Sequence, residues 1–435
     1  MGIGAILLLL PQPRVVMAEP FGREGLPLDQ ARRHVLAALQ PLGGCETVPL
    51  AAALGRTTAA SVCAAAAVPG FRASIMDGYA IAGEAIPEPG QSWQLVGVSA
   101  AGAPYGGELI SGQAVRILTG AVVPAGSGRV LPQELVQPMP DGIALVQPCS
   151  ANPWIRQPDE EAAPDQELVP PGVRLGVAEL GRLASCGVDE LVVTVRPRLG
   201  LLVSGDELLP PAAPRGPGQI WESNSVLLTA LLQRLGYGVD EVRVVVDQPE
   251  PLRVALRELA ACCDVVVSTG GVSAGDSDWI RALVGELGAV DFWKLFLKPG
   301  RPFAFGQLRD ARGVGEHQVP FFGLPGNPVA AAITALQLLW PALQRLEGAQ
   351  VQLLPRLRVR LESALNRGAG RPELARAQLL VADDGALLAR VSGSQASSRI
   401  GSLQGADLLL EIPAESGTLE AGTELWAQLL RLPLL

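Results

Sequence analysis

At 435 residues the chain is too long for one hydrophobic core, and two to four domains are expected. Hydrophobic residues make up 48% and charged residues 18%, which excludes long disorder, and a formal net charge of −9 excludes a general basic field for gathering nucleic acid. Six cysteines (45, 63, 149, 186, 262 and 263) form no CxxC pair and only two histidines accompany them, so neither a zinc site nor a secreted disulfide framework is expected and a reducing cytoplasm is the default compartment.

The first 24 residues contain GAILLLL, an apolar run with no basic residue before it. It is too short to span a bilayer and makes a poor secretory signal, so no membrane segment is read and translation is expected to begin nearer Met17. Leu28, Ala31, Val35 and Leu39 share one stripe and predict a helix, ended by Pro41 and Gly43. From Cys45 to Pro170 short apolar runs alternate with clusters such as AVPGF, PEPGQ and VVPAGSG, the texture of several short strands. Within it, acidic and proline-rich Glu160 to Pro171 reads as an exposed connection.

Arg196-Pro197-Arg198 opens a different rhythm. The buried-strand run LGLLVS leads to a loop with Gly205-Asp206-Glu207, then a helix capped by Ser223 or Asn224 and stopped at Gly236. Strand VRVVV, a helix through Leu252 to Ala261, strand DVVVS and the loop TGGVSAGDSDW follow. A helix to Leu287, a strand through Phe292 to Leu297, the run VPFFGL and a helix from Asn327 complete the region. Such alternation predicts βαβ units on a parallel sheet, with ligand loops at the carboxyl ends of strands. After Leu346 the runs LRVRLE, AQLLVA, ALLARVSG and DLLLEIP predict an all-β tail.

Chemistry concentrates in the βαβ region. Of 34 basic residues only Lys294 and Lys298 are lysines. On a strand, a spacing of four would put both ammonium groups on one face, and lysine is the cation that approaches an anion end-on. They border Pro299-Gly300-Arg301. The loop with Gly270, Gly271, Ser273 and Gly275 can form a nest of N–H groups at a helix start, a phosphate site. Ser204-Gly205 and Pro325-Gly326-Asn327-Pro328 make two further polar turns on the same sheet edge. Asp206, Glu207, Asp247 and Asp278 stand near these loops as candidate Mg²⁺ ligands; a surface acid or helix cap is the alternative for each. Asp77, in Ser74 to Ala80, reads by itself as a turn residue. His34 and His317 have no partner pattern.

The segments PGFRASIMDGYA, VRILTGAVVP, SGDEL, GQIWESN, STGGVSAGDSDW, FWKLFLKPGRPFAFG and GLPGNPVAA occur in the order and approximate spacing of the molybdopterin molybdenumtransferase family, which includes the C-terminal portion of gephyrin. The resemblance runs over roughly residues 25 to 432 and includes GRPELARAQL and SGSQAS in the tail. It implies an extension over 1–24, an N-terminal and linker region of two β-rich subdomains with a helix over 25–195, a molybdopterin-binding βαβ domain like the adenylyltransferases over 196–346, and a β-barrel-like domain over 350–435. The implied reaction inserts molybdate into adenylylated molybdopterin and releases AMP and molybdenum cofactor, with Mg²⁺ required. By the resemblance, Asp77, Thr119, Glu207, Asp247 and Asp278 match functional positions; Lys294, Lys298, Pro299, Pro325 and Pro328 match molybdate- and pterin-side loops; Arg371 and Ser394 resemble anion contacts. A homodimer is implied, with the adenylyltransferase and molybdoenzyme-maturation proteins as candidate partners. Three positions depart from the pattern: Pro158-Asp159-Glu160, Ser127-Gly128-Arg129, and Arg301 where lysine is common. The rival readings are adenylylation of molybdopterin with ATP, and a non-catalytic gephyrin-like scaffold.

Overall fold

The computed structural model describes residues 25–271, 279–309 and 318–430. The chain forms two compact units, one from residues 45–194 and one from the residues on either side of that stretch.

The second unit begins with α1 (Leu28–Ala38), whose Ala31 and Val35 are fully buried in the main core. By sequence this helix groups with the β-rich residues that follow; in the structure it packs on the α/β region. That region comprises β1 (Leu199–Ser204), α2 (Asn224–Arg234), β2 (Glu241–Val245), α3 (Pro249–Cys262), β3 (Val265–Thr269), α4 (Trp279–Leu287), β4 (Gly288–Trp293), β5 (Ala304–Arg309) and β6 (Gln318–Leu324). The sheet order is β2-β1-β3-β6-β5-β4. β1 lies in its interior and is buried on both faces, which is why LGLLVS is apolar throughout: Leu201 and Val203 enter one core and Leu202 the other.

The first four strands of that order are parallel, as the βαβ rhythm requires, but β6/β5 and β5/β4 pair antiparallel, so the sheet is mixed. The reason is connectivity: β4 is joined to β5 by residues 294–303 and β5 to β6 by residues 310–317, spans too short for the crossover that a parallel pair requires. β4 also ends at Trp293, so the strand expected through Phe292 to Leu297 starts earlier and stops four residues sooner.

The helix Pro328–Glu347, α-helical at both ends with a π-helical stretch over Ala335–Leu339, is long and apolar enough to cross a membrane but is almost wholly buried in this core. Beyond it, β7 (Arg356–Leu361), β8 (Glu373–Val381), β9 (Leu387–Arg390), β10 (Leu408–Ile412) and β11 (Glu424–Leu429) close into a barrel in the order β7-β9-β8-β10-β11. Closure leaves no free sheet edge, and Val359, Ala375, Leu408, Leu410 and Ala427 fill the interior.

The unit of residues 45–194 carries a six-stranded sheet that includes Gly78–Ala82, Gln113–Ile117 and Ser127–Pro132, together with three two-stranded pairs and the helix Val177–Ser185. Glu160 to Pro171 is mostly exposed, as expected, but it is more than a connection. Glu167–Val169 pairs with Val62–Cys63, and Ala162, Leu168 and Val169 are buried in a local core, because the apolar residues within the acidic stretch point inward.

Candidate active site

A cavity of about 1000 Å³ opens at the carboxyl ends of the parallel strands and is completed by the barrel. Ser204-Gly205 and Thr269-Gly270-Gly271 end and follow β1 and β3, and Pro325 to Pro328 follows β6; all line it. This is the sheet edge where open α/β folds bind ligands. Gly270 has φ +90°, and a Cβ there would lie 2.5 Å from the Ser204 carbonyl oxygen, so the β1 and β3 turns can approach only with glycine. Ser273, Gly275 and Asp278 lie outside the described residues.

Asn224 ties these turns together. Its amide nitrogen donates to Thr269 Oγ1 (2.7 Å) and to the Gly326 carbonyl (2.8 Å), while Thr269 Oγ1 donates to the Pro325 carbonyl (3.1 Å). Sequence reasoning treated Asn224 only as a helix cap, a role taken instead by the Glu222 carboxylate, which accepts from Ser225 N at 2.8 Å. The one signal for Asn224 was its place in GQIWESN. Asn224 Oδ1 and Ser204 Oγ are buried and have no partner among the described residues.

One end of the strand order is acidic. Glu207 and Asp247 line the cavity from the loops after β1 and β2, and Asp206 Oδ1 accepts from Asp247 N at 3.0 Å. Burial raises the Asp247 carboxyl above its ordinary value, and Asp206 and Glu207 push it further in the same direction. Its Oδ1 is buried without a partner among the described residues. The three acids are crowded rather than arranged: among the described residues no group of three acids, histidines or cysteines makes a ready metal cage.

The other end is cationic. Lys298 and Arg301, on the connection between β4 and β5, and Arg371, before β8, line the cavity. Arg371 Nη1 donates to the Leu297 carbonyl at 3.0 Å, and burial first, then Arg301, lowers its guanidinium from the ordinary value. Lys294 does not join them. The two lysines do not share a strand face, because the chain leaves β4 at Lys294, which takes a left-handed backbone (φ 69°). Its ammonium instead sits 3.6 Å from the centre of the Trp293 indole. Ser394 Oγ accepts from Ala396 N at 3.3 Å, and its neighbours Gln395 to Ser398 line the cavity.

Asp77 and Thr119 meet in the other unit. Asp77 Oδ1 accepts from Thr119 N (2.7 Å) and Thr119 Oγ1 (2.8 Å), and these two bonds hold the carboxyl below its ordinary value. Glu160 accepts from Arg156 Nε and Gln157 N, closing its own turn. Arg129 is buried and donates to the carbonyls of Ser150, Ala151 and Asn152, which gives that departure from the family pattern a structural part.

Three family models match the chain in succession: the MoeA N-terminal region (domain I and II) over residues 26–187, the probable molybdopterin binding domain over 200–345, and the MoeA C-terminal region (domain IV) over 358–430. The molybdopterin molybdenumtransferase of Haemophilus influenzae is 32% identical over 91% of this chain and 96% of its own length. Molybdopterin molybdenumtransferase 2 of Mycobacterium tuberculosis is 30% identical over 91% and 98%. The crystal structure of the molybdopterin biosynthesis MoeA protein of Pyrococcus horikoshii superimposes with a TM-score of 0.76 at 25% identity, covering 93% of this chain and 99% of that one.

Proposed function

The chain belongs to the molybdopterin molybdenumtransferase family, and from that premise we propose that it inserts molybdenum from molybdate into adenylylated molybdopterin, releasing AMP and molybdenum cofactor. The observation that carries this reading is one cavity with cations at one end of the strand order and crowded acids at the other. Lys298, Arg301 and Arg371 bind and orient the tetrahedral dianion. The glycine turns after β1 and β3 and the Pro325 to Pro328 turn hold the phosphate linkage and pterin by backbone N–H groups. Asp77 and Thr119 take the roles the family resemblance implies.

Mg²⁺ fits the acidic end, because Asp247 has a desolvated oxygen and two acidic neighbours, and a hard cation takes such oxygens. Glu207 and Asp247 would hold it, with Asp278 as a further ligand. Bound there it supplies Lewis-acid polarisation of the phosphoryl linkage. The described loops offer no thiol or imidazole nucleophile, so positioning and electrostatics carry the rate. The same reading makes the protein a cytoplasmic homodimer. The six cysteines, all free thiols, support a reducing compartment, and light scattering should give about twice 45.3 kDa.

The test is turnover of adenylylated molybdopterin with Mg²⁺ as molybdate is titrated, scoring AMP and the ability of the product to activate a cofactor-free molybdoenzyme. Molybdate-dependent AMP release matched by active cofactor is expected. Adenylylation of molybdopterin from ATP without a molybdate requirement would put the protein one step earlier, and absence of any adenylate turnover would make it a scaffold.

A further inference from the structure

Lys298 is held by a residue of the segment GRPELARAQL that does not line the cavity and for which the sequence predicts no role. Glu373, at the start of β8, has a side chain only 4% exposed, and both of its carboxylate oxygens lie 3.1 Å from Lys298 Nζ. Behind it is Arg367, 6% exposed, whose Nε lies 3.3 Å from Glu373 Oε2, close enough to pair in charge though not aligned as a hydrogen bond. The other nitrogens of Arg367 donate to the carbonyls of Pro413, Ser416 and Arg371. Backbone bonds from Lys298 N to the Pro372 carbonyl and from Leu374 N to the Lys298 carbonyl, both 2.8 Å, lay the lysine segment along the barrel strand.

We propose that Glu373, backed by Arg367, is a positioning residue that fixes the Lys298 ammonium at the cavity and sets the protein's affinity for the tetrahedral oxyanion. Charge counting explains why two residues are needed. A buried carboxylate alone would cancel the lysine it holds; with Arg367 behind it the triad keeps one net positive charge, and that charge faces the cavity on the lysine, whose side chain is 47% exposed. A free lysine would lose rotamer entropy on binding an anion, whereas a held one has already done so. A buried carboxylate with two cationic partners is costly to assemble, and its cost is the reason to look for a role beyond packing.

This inference rests on Lys298 receiving molybdate, and the experiment separates the two ideas. In Glu373→Gln the half-saturating molybdate concentration should rise about tenfold while kcat stays within about threefold, because only the oxyanion end loses its order. Direct titration of the substrate-free protein with tungstate, a dianion of the same shape, should show the same loss. In a Lys298→Gln background, Glu373→Gln should add less than about twofold, since a positioning residue has nothing left to position. If Glu373 only screens the lysine, its removal would tighten oxyanion binding, and that sign overturns the proposal; so would additive losses in the two backgrounds. Should Glu373→Gln fold poorly because Arg367 is stranded, the pair Arg367→Gln with Glu373→Gln removes both charges together and must show the same rise. A Lys298→Gln protein with unchanged molybdate dependence would defeat the reading of the pocket itself, whereas a silent Glu373→Gln beside an impaired Lys298→Gln defeats only the positioning role.

Discussion

The two ends of the cavity differ in how far their charges are satisfied. At the cationic end Lys298 is paired with Glu373, and Arg371 is anchored on the Leu297 carbonyl. At the acidic end Asp247 keeps a buried oxygen without a partner among the described residues and faces two further acids. At the first end the charges are paired or anchored by the protein's own contacts, and a net positive charge is left for a ligand. The second carries electrostatic strain that a cation would relieve, which is the usual sign of function held at the expense of stability.

The sharpest break in this comparison is Asp247→Asn. The Asp247 carboxyl is raised above its ordinary value, so its contribution to stability is complete below that ordinary value and is lost as pH rises through the folded one. At neutral pH the ionised group therefore disfavours the fold, and the asparagine variant should melt higher in the absence of Mg²⁺. Product formation should fall on the order of 10² or more, the scale of losing one strong electrostatic contributor. A variant that melts lower and turns over normally would show the acidic end to be ordinary surface.

Next in size is the contrast between the two lysines. Lys298→Gln should raise the half-saturating molybdate concentration by about ten- to a hundredfold, the worth of one charge-assisted contact. Lys298→Arg should not restore it, because the planar fork cannot occupy the same position between Glu373 and the cavity. Lys294→Gln should change it by less than about threefold, since that ammonium lies on an indole. Equal effects at the two positions would return the paired-lysine receptor that their spacing suggested.

Asn224 tests what both ends share. Asn224→Leu removes the donor to the Gly326 carbonyl and to Thr269 Oγ1, which is left buried, so equilibrium unfolding should show a loss of about 1–3 kcal/mol. Unchanged stability would mean the three turns hold themselves. The smallest effect belongs to Asp77→Asn. The Asp77 carboxyl is lowered by Thr119, so its stabilisation is present above its ordinary value and lost as pH falls through the folded one. The variant should melt slightly below the parent at neutral pH and level with it in acid; a gap that persists in acid would assign the turn's stability to something other than this charge.

The chain alone determined the elements whose cause is local. The stripe of Ala31, Val35 and Leu39 makes α1, the unbroken apolar run LGLLVS makes an interior strand, and the glycines after β1 and β3 mark turns on one edge of the sheet. It also carried the family motifs and with them the reaction. It could not say that β5 and β4 run antiparallel, that Glu160 to Pro171 contributes a strand, or that the Lys294 and Lys298 side chains part company at one left-handed residue. Nor could it join Lys298 to Glu373, 75 positions further along, or Asn224 to Gly326, 102 positions away. Periodicity is set by neighbours in sequence, whereas the charge and hydrogen-bond partner of a side chain are set by whatever the fold brings within about 3 Å of it, and in this protein the groups that shape the cavity find those partners across the chain.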